Sequence, residues 1–87
     1  MHKGDSYCRV CGYELSSPPW GDDGYSPTWE ICPCCGTEIG YEDCTPANAH
    51  EMRNRWVSGG KQWFDKSKKP VDWSYDCQSK HIPKDYI

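Results

Sequence analysis

The sequence contains few of the branched aliphatic residues that form most protein cores. One Leu, four Ile, three Val and one Phe make up 9 of the 87 residues, whereas chains with less than roughly 20% of these residues seldom fold by apolar burial alone. The formal net charge is only −3, and five Trp and six Tyr supply large rings that can cover a small core. We therefore expect a folded chain that needs a constraint beyond apolar burial.

Long apolar runs are also absent. No segment approaches the roughly 18 apolar residues of a membrane span, and the first residues lack the apolar stretch of a secretory signal. These absences predict a cytoplasmic protein with no membrane partner. Because thiols stay reduced in that compartment, the seven Cys are expected to bind a metal and not to form disulfides.

Charge is divided unevenly along the chain. Residues 1–44 carry eight acidic and two basic side chains, a net charge of −6, whereas residues 45–87 carry five acidic and eight basic ones, a net charge of +3. An acidic surface is unfavourable for the phosphate contacts that hold nucleic acids. The charge pattern therefore predicts a protein partner and no nucleic acid.

Two copies of the motif C-x-x-C-G dominate the first half. The first copy begins at Cys8, the second begins at Cys32, and each ends in a glycine that can adopt positive φ at little cost. Two residues between cysteines allow one turn to direct both sulfurs at a single ion, and two such turns form the four-thiolate cage that zinc prefers. The predicted zinc ligands are Cys8, Cys11, Cys32 and Cys35.

Alternating residues around the second motif predict short strands. Residues 28–31 alternate towards it, and Thr37, Ile39 and Tyr41 share one face after it. We expect an antiparallel sheet of two or three strands with the metal at one end. The predicted fold class is thus a small metal-stapled α+β domain, a zinc ribbon followed by one or two helices.

The second half has the signals of a helix. Thr45 followed by Pro46 is typical of a helix N-terminus, and no helix breaker occurs before the glycine pair at 59–60. Met52 and Trp56 lie one turn apart, so this face is expected to pack on the sheet while Arg53 faces water.

A second short helix is predicted from Asp72 or Ser74 to His81, with Trp73, Cys77 and His81 on its inner face. The whole chain is expected to form one domain over residues 1–87. In that domain, a zinc ribbon of residues 1–44 is followed by a helical extension of residues 45–87 that packs on it.

The two motifs carry a resemblance to known families. Residues 7–13 and 32–36 resemble the paired knuckles of rubredoxins and of rubredoxin-like zinc ribbons. Residues 13–43, which include Trp29-Glu30-Ile31-Cys32 and Gly40-Tyr41-Glu42-Asp43, are similar to the cysteine-rich CPCC family of small bacterial proteins. The resemblance implies a metal-binding ribbon, and its rubredoxin part implies iron as an alternative metal.

A site closed by four cysteines leaves no open coordination position for water or substrate, so we expect no enzyme activity. The predicted function is that of a non-catalytic zinc-binding protein that binds another protein, for example by neutralising a basic partner such as a toxin. One alternative is a rubredoxin-like iron electron carrier. A second is a nucleic-acid-binding zinc ribbon that uses Arg53, Arg55 and the lysine run at 66–69.

Several residues have more than one interpretation. Trp20 either covers the core of the ribbon or, with Tyr25, offers an aromatic anchor to a partner. Cys34 lies between two predicted ligands and has no assigned role. A second metal site is an open alternative, because Cys77 and His81 are one helical turn apart. Its other candidate ligands are Cys44 and His50.

Overall fold

Two cysteine turns and two α-helices organise the chain. The structure is a computed structural model that describes residues 6–21, 23 and 25–87. The two turns, which we call the knuckles, span residues 7–14 and 31–38. Helix α1 is Pro46–Ser58 and helix α2 is Tyr75–Gln78. A short 3-10 segment, Lys66–Lys68, lies between the helices in sequence. Two more, Ser79–His81 and Lys84–Tyr86, follow α2.

The predicted antiparallel sheet is wrong, because the part of the chain that the structure describes contains no β-strand. Each knuckle is closed by a single antiparallel bridge, between Tyr7 and Glu14 and between Ile31 and Glu38. Extended backbone ends beside the second bridge because Trp29 adopts a left-handed φ of 64°. The chain is therefore not an α+β zinc ribbon with two or three antiparallel strands. The predicted rubredoxin-like fold class is wrong.

The knuckles repeat the same backbone hydrogen bonds. The N–H groups of Cys8 and Cys32 each donate to the carbonyl five residues later, at 2.9 and 3.0 Å, respectively. The N–H groups of Gly12 and Gly36 donate back to the same two cysteines, each at 2.9 Å. Both glycines have positive φ, 81° and 77°, so the identical motifs produce identical turns.

Helix α1 forms as the sequence predicts. The Thr45 side chain caps it by accepting from the N–H of Asn48 at 3.1 Å, and Pro46 is its first residue. Ala49 is fully buried and Trp56 is 8% exposed. The predicted apolar face is therefore the buried face.

The prediction that Arg53 faces water is wrong. Its guanidinium donates to the carbonyls of Val10, Arg9 and Tyr86. Hydrogen bonds from a charged donor are stronger than those between neutral groups. The side chain thus joins helix α1 to the first knuckle and to the C-terminal segment.

Aromatic rings form the core that the aliphatic residues are too few to fill. Trp63 packs edge-to-face on Tyr13 and on Trp73, with ring centroids 5.5 and 5.4 Å apart. Trp56 packs edge-to-face on Tyr75 at 5.2 Å. These rings belong to the same cluster as the buried cysteines, so the aromatic core and the knuckles support each other.

The C-terminal segment agrees with the sequence in part. Helix α2 begins after Ser74, whose side chain accepts from the N–H of Cys77 at 3.4 Å. Trp73 is half-buried, but Cys77 and His81 are exposed, so the predicted inner face is wrong at those two positions. Among the described residues, no helix combines the length and the apolar character that crossing a bilayer requires. The division of the domain at residue 44 stays a prediction.

Candidate metal centre

Four cysteine sulfurs meet where the two knuckles face each other. All four Sγ atoms lie within 4.8 Å of one another. Sulfurs from opposite knuckles are closest, with 3.7 Å from Cys8 to Cys35 and 3.7 Å from Cys11 to Cys32. A tetrahedral ion with metal–sulfur bonds of about 2.3 Å requires sulfur–sulfur edges of about 3.8 Å. The four predicted ligands are thus positioned to bind one metal ion.

Burial gives this cluster its electrostatic character. Three of the four cysteines are fully buried, Cys35 is half-buried, and all seven cysteines of the chain are free thiols. Burial raises the pKa of Cys11 well above its usual value, and hydrogen bonds with the neighbouring cysteines raise this pKa further. Thiolates are therefore unfavourable here without a cation, whereas a bound cation would stabilise them.

Two polar groups contact the sulfurs directly. The N–H of Val10 donates to Cys8 Sγ at 3.4 Å. The hydroxyl oxygen of the buried Thr37 lies 3.0 Å from Cys35 Sγ. Donors of this kind delocalise the negative charge of a thiolate and fix its orientation. The alternation of residue types placed Thr37 on a strand face and did not predict this contact, although Thr37 follows the glycine of the second motif immediately.

A fifth cysteine borders the four-sulfur group. Cys34 is buried, and the side-chain amide of Gln78 donates to its Sγ at 3.3 Å. A hydrogen bond from Cys11 lowers the pKa of Cys34, the amide of Gln78 lowers it as well, and burial opposes both. Gln78 lies 44 residues further along the chain, and no local sequence signal identifies it.

The residues of the possible second metal site do not come together. The described residues contain one group with metal-binding geometry, and it is the four-cysteine group. Cys44 donates its thiol to the carbonyl of Gly40 at 3.1 Å, while the ring of His81 stacks on Tyr7 with centroids 4.7 Å apart. These side chains therefore have local structural contacts and form no second cluster.

Trp20 is half-buried against other parts of the same chain. Its indole N–H donates to the carboxylate of the buried Asp43 at 3.0 Å, and the guanidinium of Arg9 lies 4.1 Å from its ring centroid. The same carboxylate accepts from the N–H of Gly40 at 2.8 Å. Tyr25, by contrast, is 85% exposed. Of the two interpretations of Trp20, the structure supports the one in which the ring packs internally.

Comparisons with known proteins give relatives for part of the chain. The chain is 46% identical over 37 residues to the uncharacterized protein YoaQ of Bacillus subtilis (strain 168). The matched segment covers 41% of this chain and 31% of the relative. The chain is 47% identical over 38 residues to the uncharacterized protein YozI of the same strain, with the same two coverages. The chain thus spans about a third of the length of the relatives it matches.

No protein-family model matches the chain, and no solved structure matches it significantly. The resemblance to the CPCC family and to rubredoxin-like knuckles therefore stays a prediction. The cluster of four cysteines positioned for a metal ion does not depend on that resemblance.

Proposed function

We propose that the protein is a non-catalytic zinc-binding protein in which four cysteines hold one structural Zn²⁺. The observation that carries the proposal is the approach of four Sγ atoms to within 4.8 Å of one another. Zinc accepts four thiolates in a tetrahedron and has no redox chemistry of its own. Because all four positions are filled by cysteine, the site offers no place for a substrate.

The small core supports a structural role for the ion. Structural zinc contributes on the order of 10 kcal/mol to the folding of small domains. A core with few aliphatic residues supplies only about 3–5 kcal/mol in a chain of about this size. The ion would join two knuckles that are each closed by only one bridge. We therefore expect folding to depend on the metal.

Elemental analysis and the absorption spectrum of the purified protein test this proposal. We expect one colourless zinc ion for each chain, and we expect chelation to abolish the native circular dichroism spectrum. Cys35→Ser should lose the metal, whereas Cys77→Ser, which alters an exposed cysteine outside the cluster, should keep it. A chelated protein with an unchanged spectrum, or a Cys35→Ser protein with a full metal content, would contradict the proposal.

An iron electron carrier is the second candidate. It is favoured by the same donor set, because four thiolates in a tetrahedron also suit iron. If the purified protein is red and elemental analysis finds iron, the iron electron carrier would replace the zinc proposal. Binding of nucleic acid through Arg53 has less support, because that guanidinium is occupied by three backbone carbonyls.

We also propose that the protein acts by binding a basic protein, such as a toxin, in the cytoplasm. A groove of about 540 Å³ beside the second knuckle is lined by Tyr13, Leu15, Ser16, Trp29, Glu30, Ile31, Pro33 and Lys68. We call it the Trp29 groove. Trp29 is 62% exposed and Ile31 is 46% exposed. Such exposed apolar side chains are typical of the centre of a protein interface.

The charge near the Trp29 groove supports a basic partner. Glu30 lines the groove and Glu38 is bridged to Ile31, and both carboxylates are exposed. They outnumber the one ammonium group that lines the groove, that of Lys68. Acidic side chains around an apolar centre steer a basic partner and exclude acidic ones.

Capture from a cell extract with matched variants tests the partner surface. Ile31→Ser should lose a basic partner, and capture by the unaltered protein should weaken as salt rises. Val71→Ser removes a fully exposed aliphatic side chain that does not line the groove, and it should capture the same partner. Equal capture by both variants, or an acidic partner, would contradict the proposal.

A further inference from the structure

Three lysines surround a hollow in the segment that links helices α1 and α2. The hollow has a volume of about 310 Å³, and Lys61, Lys66 and Lys69 line it together with the indole rings of Trp63 and Trp73. None of the described residues that line it is acidic. The sequence shows a run of lysines only at 66–69, and the fold adds Lys61 to them. We call this feature the lysine hollow.

The charges of the lysine hollow are not neutralised by carboxylates. Within the part of the chain that the structure describes, the one ion pair joins Glu51 and Arg55. Asp65 is adjacent to the lysines in sequence, but its carboxylate accepts from the N–H and hydroxyl of Ser67 at 3.1 and 2.6 Å and forms no ion pair with the three lysines. The three ammonium groups therefore create a positive potential that an anion can occupy.

Aromatic rings hold two of these ammonium groups in place. Lys61 Nζ lies 5.2 Å from the ring centroid of Tyr75, and Lys69 Nζ lies 5.4 Å from that of Trp73. The negative face of an aromatic ring attracts a cation at this separation. Part of the entropy cost of fixing the lysines is therefore met before a ligand binds.

Trp63 places a buried hydrogen-bond donor beside the lysine hollow. Its side chain is 4% exposed, and its indole N–H is buried without an acceptor among the described residues. A buried donor without an acceptor is unfavourable. The ring lines the hollow, but the nitrogen itself is covered, so the indole would have to move slightly for an oxygen of a bound anion to accept this hydrogen bond.

We propose that the lysine hollow binds a phosphoryl dianion, either free phosphate or the phosphate group of a small organic molecule. Lysine binds phosphate as a compact point charge, and three such charges more than balance the two negative charges of a dianion. The volume is close to the lower end of small-molecule sites. The half-buried ring of Trp73 offers an apolar wall to an organic substituent. None of the four cysteines takes part, so the proposal is independent of the zinc assignment.

Titration of the full-length, metal-loaded protein with inorganic phosphate and with phenyl phosphate tests the proposal. Calorimetry and 15N–1H spectra are expected to report saturable binding and a shift of the Trp63 indole N–H, while chloride at the same ionic strength has no such effect. Equal affinity for the two probes would identify free phosphate as the ligand. Tighter binding of phenyl phosphate would identify an organic phosphate, and both results support the proposal.

Two matched variants locate the site. Lys66→Gln should weaken phosphate binding about fivefold, the effect of one ion pair near the surface. Lys68→Gln makes the same charge change in the same 3-10 segment, but Lys68 lines the Trp29 groove, so its effect should stay within about twofold. Equal losses in both variants would overturn the proposal. An unchanged Trp63 resonance would also overturn it, as would the absence of saturation below about 10 mM. Binding of oligonucleotides but of neither phosphate probe would overturn it too.

Discussion

Gln78 donates a hydrogen bond from its side-chain amide to the Sγ atom of Cys34 at 3.3 Å. The same Nε2 donates to the carbonyl of Cys11 at 3.0 Å, and its Oε1 accepts from the indole N–H of Trp73 at 2.8 Å. One neutral side chain in helix α2 thus contacts both knuckles and the aromatic core. It connects the C-terminal segment to the candidate metal centre.

Gln78→Met should destabilise the protein without removing the metal. Methionine has a similar volume but leaves the carbonyl of Cys11 and the N–H of Trp73 without these partners, which costs about 1–3 kcal/mol. Chemical denaturation and elemental analysis measure the two effects. Gln62→Met, at an exposed position, is the control and should change stability by less than about 0.5 kcal/mol. A loss of metal in Gln78→Met would show that the amide is required for coordination.

The two knuckle glycines should differ in their tolerance of alanine. Both have positive φ, but a Cβ atom at Gly12 would collide with the backbone carbonyl of Gln78, whereas one at Gly36 would meet Phe64 at 3.4 Å, an ordinary contact. Gly36→Ala should cost about 1 kcal/mol. Gly12→Ala should cost about 1–3 kcal/mol more, because the docked C-terminal segment must move.

Denaturation of both metal-loaded glycine variants measures this difference. Because the two glycines end identical motifs, each variant is the control for the other. Equal destabilisation would mean that the C-terminal segment does not pack on the first knuckle as described.

Trp56→Ala should destabilise the fold by about 3–5 kcal/mol, as expected for a large ring removed from a core. Trp56 is 8% exposed and its indole N–H donates to the carbonyl of Gln62 at 2.8 Å. Val57→Ala, at a neighbouring position of the same helix that is 38% exposed, should have an effect below about 1 kcal/mol. If Trp56→Ala kept its thermal midpoint but lost a captured partner, helix α1 would be the binding element.

Metal retention should decrease as pH falls. Burial raises the pKa of Cys11, so a proton competes strongly with the metal for this sulfur. In the metal-free fold, a raised pKa contributes stability that is present below the usual thiol pKa of about 8.5 and is lost as pH rises through the folded-state pKa. Metal binding requires the thiolate, so metal-dependent stability has the opposite sign and is lost on acidification.

Elemental analysis after desalting at a series of pH values below neutrality measures this prediction. We expect zinc release and loss of the native circular dichroism spectrum to occur together. Release of zinc with an unchanged spectrum would show that the ion is not needed for the fold.

Local sequence was sufficient to predict the two knuckles and helix α1, and the four ligands that a metal ion requires predicted that the knuckles meet. Each knuckle is closed by hydrogen bonds that span at most a few residues, and its glycine supplies the required positive φ. The helix likewise begins with a cap from Thr45 to Asn48. Interactions of this range depend on neighbouring residues alone, so a motif determines them wherever the rest of the chain goes.

The absence of a sheet, the partners of Arg53 and Gln78, and the lysine hollow were decided by the tertiary structure. The Trp29 ring lies against Gly40, where a side chain would collide with it, and Trp29 has the left-handed φ that ends the extended segment. Arg53 binds the carbonyl of Val10, 43 residues away. Alternation of residue types predicts local extension, but it holds no information about which distant backbone packs on a ring or accepts from a side chain, because those contacts form only when the whole chain has folded.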